Sequence, residues 1–157
     1  MPMPVLRSDA ACLADEWASL HRMSRFAVHD CELHYLSTTA LSAADDLVAH
    51  LLLKKLKLAK KLGDDSAVEA VRMNSVVEFC AGGNGLRSGR LIHPSAAVSE
   101  PQGISISSLL GTGLLGLAEG QTILWPDEAG VFGPLAIVRI VDTGTGQQIN
   151  NFKRKKS

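Results

Sequence analysis

Chemistry-bearing side chains concentrate in two short stretches. His29, Asp30, Cys31, Glu32 and His34 fall within six residues and are the types that ligate transition metals. On a helix, Asp30 and His34 lie one turn apart and share a face. Two ligands fall short of the four, or three plus water, that zinc requires, so this stretch is expected to be a solvated or capping segment. The second stretch is Asp45-Asp46. Paired carboxylates can hold a hard cation and lower the pKa of its water, but both must face one ion. Adjacent helix positions point about 100° apart, so this pair is expected to cap a helix. Ala81-Gly82-Gly83-Asn84-Gly85 lacks the following Gly-Lys-Ser of a phosphate loop, and no Gly-x-Ser-x-Gly elbow occurs. Cys12, Cys31 and Cys80 are odd in number and far apart, which excludes a disulfide scaffold and a four-cysteine zinc site. No catalytic residue, metal or cofactor is therefore expected, and the chain does not read as an enzyme.

The 157 residues carry 16 basic and 16 acidic side chains. Charge balance argues against bulk attraction to nucleic-acid phosphates, leaving contact with nucleic acid only indirect. Apolar runs such as Leu51-Leu52-Leu53 are far too short to cross a membrane. Met1-Pro2-Met3-Pro4 has no basic segment leading into an apolar one, so no secretory signal is expected and the location reads as cytoplasmic.

Glycine and proline divide the chain. Thirteen of 14 glycines follow Cys80, and no proline lies between Pro4 and Pro94. Residues 1–72 accordingly read as helical, 73–145 as strands and turns, and 146–157 as a basic flexible tail containing Lys153-Arg154-Lys155-Lys156. A first helix is predicted from a cap at Ser8 or Asp9 through Leu20, with a pattern able to continue to Leu36. Ser37-Thr38-Thr39 reads as the turn, and Ser42 as the cap of a second helix over 43–62, ended by Gly63. Leu47, Leu51, Leu58 and Leu62 cluster on its apolar side, with Lys54, Lys57, Lys60 and Lys61 opposite as a solvated face, or alternatively a basic contact surface. At about 1.5 Å per residue this helix would be roughly 30 Å long. Two such helices form an antiparallel coiled-coil hairpin, and its broad apolar face leaves self-association open.

The later half reads as a small sheet. Val76 to Phe79 is a strand, the glycine-rich turn follows, and Leu86 to His93 returns as its partner. Ile104 to Ile106, Thr122 to Trp125 and Leu135 to Val141 supply further strands. Leu109 to Leu117 reads as a short helix on the sheet. The fold class is α+β, with the hairpin followed by an antiparallel sheet.

Val71-Arg72-Met73-Asn74-Ser75-Val76-Val77-Glu78-Phe79, Ile104-Ser105-Ile106-Ser107-Ser108-Leu109-Leu110-Gly111-Thr112-Gly113-Leu114-Leu115-Gly116-Leu117, Glu119-Gly120 and Thr122-Ile123-Leu124-Trp125 form a specific set. Together they resemble the carboxy-terminal domain of the Gre transcription elongation factors. Within that family the set is most similar to the regulators of nucleoside diphosphate kinase (Rnk). The resemblance covers about residues 71 to 141, with a weaker match at Ala44 to Leu51.

The resemblance implies an FKBP-like sheet domain and a bacterial RNA polymerase partner. It implies a rim contact through Ser107, Ser108, Leu109, Leu110 and Gly111, and a hairpin tip at Leu41, Ser42, Asp45 and Asp46 directed into the secondary channel. The family's Ser-Ser-Pro step has Leu109 in place of proline here, which removes a fixed dihedral. Cleavage factors carry a spaced acidic pair at the tip, whereas Leu36 to Ala44 contains no acid and Asp45 and Asp46, which follow it, are adjacent. The expectation is polymerase binding without stimulated transcript cleavage. The alternatives are a Gre-type cleavage factor, or an interaction module for another protein partner. Prolyl isomerase activity does not follow from the fold name, because Phe79, Trp125 and Phe132 are few aromatics for such a pocket.

Overall fold

The computed structural model describes residues 6–63, 69–83, 85–94 and 102–142. The basic tail, and Asn84 of the glycine-rich turn, lie outside them.

Helix α1 (Leu6–Leu20) starts before Ser8 and Asp9, so neither is its cap. It stops at Leu20 rather than continuing to Leu36. A turn through Ser24, whose N–H donates to His21 O (3.0 Å), leads to strand β1 (Ala27–His29). Phe26 and Val28 bury here and hold the segment extended, against the helical pattern. Helix α2 (Asp30–Ser42) then absorbs Ser37-Thr38-Thr39, which was expected to turn. The hydroxyls of Thr39 and Ser42 donate back to Tyr35 O and Thr38 O (2.9 Å each), within the helix. Buried Leu36 and Ala40, one turn apart, supply the face that keeps it helical.

Helix α3 (Asp46–Leu58) is capped by Asp45, not Ser42. It ends at Ala59, four residues before Gly63, because Lys60–Leu62 form strand β2, which pairs parallel with β1. Its 13 residues span about 20 Å, shorter than the expected helix. Neither β1 nor β2 shows a strand pattern of its own, and each exists only by pairing with the other.

The second sheet contains β3 (Val76–Ala81), β4 (Leu86–Ile92), β5 (Gly103–Ser105), β6 (Thr122–Pro126) and β7 (Phe132–Asp142), in the order β5-β4-β3-β7-β6. It is mixed rather than antiparallel, since β4 and β5 run parallel. The expected β3–β4 hairpin forms, with Val76 facing Arg90 and Cys80 facing Leu86. Gly82, Gly83 and Gly85 all have positive φ (62°, 91°, 82°), as its turn demands. Asn74 of the Met73-Asn74-Ser75 entry also adopts the left-handed conformation (φ 74°), and its N–H donates to Leu91 O.

Helix α4 (Leu109–Leu114) packs on this sheet. It sits so close that a Cβ on Gly111 would overlap the carbonyl of Ser105, and one on Gly113 would lie 2.6 Å from Trp125 Nε1. One apolar cluster unites the molecule, from Ala14 and Trp17 of α1 through Leu51, Leu52 and Leu56 of α3 to Phe79, Leu91, Ile123, Trp125 and Ile137 of the sheet. Each such Leu or Phe contributes about 1.5–3 kcal/mol on full burial. Among the described residues no helix is long and apolar enough to cross a membrane.

Candidate functional site

The Ser107–Gly111 segment is built by serines that fold onto themselves. Ser108 is the N-cap of α4, and its Oγ accepts from Gly111 N (3.0 Å) while donating to Ser105 O (2.6 Å). Ser107 N donates to Ser105 Oγ (3.1 Å). From below, Trp125 Nε1 donates to Leu109 O (2.8 Å) and Thr112 Oγ1 to Ile106 O (2.9 Å). These bonds fix the backbone that proline would otherwise have stiffened.

The five predicted residues face different ways. Leu109 and Leu110, half-buried, line a cleft of about 650 Å³ with Trp125, Phe132 and Leu135, while Arg87 borders it together with Asp127 and Glu128. Such a surface offers apolar area ringed by both signs of charge. Ser108 is spent on capping, and Gly111 is buried. Ser107 instead lines a second cleft of about 400 Å³, shared with Tyr35, Ser42, Asp45 and Pro94. Tertiary structure thus brings the α2–α3 turn against the α4 entrance, a juxtaposition of segments more than 60 residues apart. Leu41 at the end of α2 is 77% exposed. Asp46 opens α3 and is exposed.

The carboxylate of Asp45 is committed locally. Its Oδ1 accepts from Leu47 N (2.8 Å) and Val48 N (3.3 Å). That arrangement satisfies two otherwise unpaired donors at the helix start. Within the 29–34 stretch, Glu32 and Cys31 are also committed. Glu32 accepts from Arg72 Nε (3.1 Å) and from Met73 N (3.3 Å), and the Arg72 guanidinium reaches Cys31 Sγ (3.6 Å). Among the described residues no three His, Cys, Asp or Glu side chains are placed to hold a metal.

The lysine stripe divides. Lys54 pairs with Asp15 of α1 (2.6 Å), which holds that carboxyl below the usual range. Lys61 donates to Leu56 O and Ala59 O, closing the end of α3. Lys57 and Lys60 are exposed.

Lys55 has no place in that stripe and is fully buried. Its Nζ donates to Thr112 O (2.9 Å) and Gly113 O (2.6 Å), the open carbonyls at the end of α4. Nζ also lies 5.2 Å from the Phe26 ring centre and 5.1 Å from that of Trp125. Burial pushes the amine well below the usual lysine range. The carbonyls and ring faces act oppositely, favouring the ammonium. Lys55 therefore ties α3 to the helix that carries Leu109 and Leu110. A signal existed in the sequence, because Lys55 follows Leu51 by four residues and Leu52 by three, on the apolar face.

No protein-family model matches the chain, and a search of curated proteins finds no match. Among solved structures, the chain is similar to the prokaryotic transcription elongation factor GreA/GreB from Nitrosomonas europaea. That match has a TM-score of 0.57 and 24% identity, and covers 74% of this chain and 97% of that one. GreA factor homolog 1 of Thermus thermophilus matches at a TM-score of 0.38 and 18% identity, over 85% of this chain and 93% of that one. Gfh1 of Thermus aquaticus matches at 0.38 and 20%, over 85% and 86%. The Nitrosomonas structure shares the fold of this chain.

Proposed function

We propose that this chain is a transcription regulator of the Gre type, most like the regulators of nucleoside diphosphate kinase, that binds bacterial RNA polymerase without stimulating transcript cleavage. The observation that carries this reading is the state of Asp45 at the α2–α3 turn, whose carboxylate already accepts two backbone N–H groups. A second metal would need a carboxylate pair directed outward at that turn. The fold shared with a transcription elongation factor supports the choice of partner. The Leu109–Leu110 cleft supports the mode of docking, because it presents apolar area on a hydrogen-bonded, preorganised backbone. The globular part grips the rim of the secondary channel, the α2–α3 turn faces the entry, and other channel ligands are excluded by mass action.

The test is binding of the purified chain to core polymerase, with and without excess cleavage factor, alongside a cleavage assay on a backtracked complex. The expected result is saturable binding, displaced by the factor, with no shortened RNA. Absence of binding at micromolar protein would leave the likeness as one of fold alone. Shortened RNA would make the chain a cleavage factor and overturn the reading of Asp45.

A further inference from the structure

Among the described residues strand β6 ends the five-stranded sheet, so one row of its backbone groups points away from β7. A bare row of this kind pairs readily with other chains. Here the row is closed at Leu124 by two side chains from the end of α1. Trp17 Nε1 donates to Leu124 O (2.8 Å), and Leu124 N donates to His21 Nε2 (3.1 Å). The other ring nitrogen, Nδ1, lies 2.8 Å from Trp17 O. Because the Leu124 amide is the donor, Nε2 must present its lone pair, and Nδ1 carries the hydrogen given to Trp17 O. Both nitrogens are thereby assigned and the ring is neutral. A second proton has only Nε2 to occupy, where it would point at the Leu124 N–H.

The surroundings disfavour that proton on balance, because burial outweighs the bond to Trp17 O. His21 is buried, stacked on Trp17 (4.7 Å between ring centres) and tilted against Phe26 (6.3 Å). From β6 it meets Leu124 and the uncharged Trp125 cluster. From α3 the acting group is Lys55, a base. We propose that His21 is a proton-operated catch, which holds α1 over the free edge of β6 while neutral and releases α1, baring that edge, on protonation. Burial first, and Lys55 second, hold the ring below the ordinary histidine range, although its bond to Trp17 O acts the other way. The catch is therefore closed at neutral pH. Stability associated with it is full above the unfolded-state value of 6.5 and is lost as pH falls through the lower folded-state value.

The molecule carries its own probe, because both tryptophans belong to this cluster, with Trp17 and Trp125 edge to face at 5.3 Å. Intrinsic fluorescence of the full chain is followed from pH 8 to pH 5. Wild type is expected to shift to the red with a midpoint below 6.5. His21→Gln keeps an acceptor for Leu124 N–H without a titrating group, and its emission is expected to stay at the wild-type pH 8 position throughout. Hydrogen exchange on wild type alone supplies the second readout. Corrected for intrinsic rates, α1 amides are expected to lose up to about tenfold in protection for each pH unit between 6.5 and the lower folded-state value and no more below it, with β3 and β4 amides unchanged. A flat wild-type titration, a transition that persists in His21→Gln, or loss of protection spread evenly over β3 and β4 would overturn the catch.

Discussion

Lys55 puts a base where the pattern asks for leucine. It sits among Phe26, Trp125 and the end of α4, and the two carbonyls it serves would otherwise be buried without donors. Leaving such groups unpaired costs about 1–3 kcal/mol each, which is why a residue so unsuited to burial is held there. The same burial makes its contribution depend on pH. Its folded-state pKa is lowered from 10.5, so the unfolded chain binds the proton more tightly, and stability rises as pH approaches 10.5. Lys55→Met removes that linkage. In urea titrations the stability of wild type relative to Lys55→Met is expected to increase between pH 7 and pH 10. A difference that stays constant or shrinks would mean that the amine keeps its proton in the folded chain.

At the scale of elements, caps and partners outrank periodicity. Ser42 and Asp45 both suit the start of α3, yet only Asp45 stands where its oxygen reaches the N–H groups of Leu47 and Val48. Asp45→Ala is expected to destabilise the protein by about 0.5–2 kcal/mol, the usual weight of an N-cap. Ser42→Ala, which removes only a bond within α2, is expected to cost a few tenths of that, and chemical denaturation of the two variants separates them. The strands β1 and β2 teach the opposite lesson. Lys60-Lys61-Leu62 continues a helical pattern, and becomes a strand because Ala27–His29 lies alongside in parallel register. The turn after α4 reinforces that ribbon, since Gly116 (φ 83°) accepts from Ala27 N (3.1 Å) and donates to Val71 O (2.8 Å).

At the scale of the molecule, helices and sheet share one apolar cluster rather than two. Trp17 from α1 meets Trp125 from the sheet, and Lys55 from α3 meets α4. A single core of this kind melts cooperatively. Urea unfolding followed by tryptophan emission and by far-ultraviolet circular dichroism is expected to give coincident curves. A helical signal lost well before or after the tryptophan signal would show that the residues before 72 unfold on their own. The shared core also sets the two clefts in fixed relation, with Ser107 turned toward Ser42 and Asp45 while Leu109 and Leu110 face the opposite groove.

Much of this was written in the chain. The break between helices and strands follows from where glycine and proline fall, because both act on the backbone locally. The β3–β4 hairpin follows from its glycines, and α4 from its apolar run, for the same reason. Tertiary structure decided what depends on distant partners. It ended α1 at Leu20, made strands of 27–29 and 60–62, turned β5 parallel to β4, and buried Lys55 and His21 against carbonyl and amide groups more than 50 residues away. A hydrogen bond to a backbone atom leaves no mark in the partner's side chain. Thr112, Gly113 and Leu124 could therefore announce nothing about the groups that they receive, and only the folded chain brings them together.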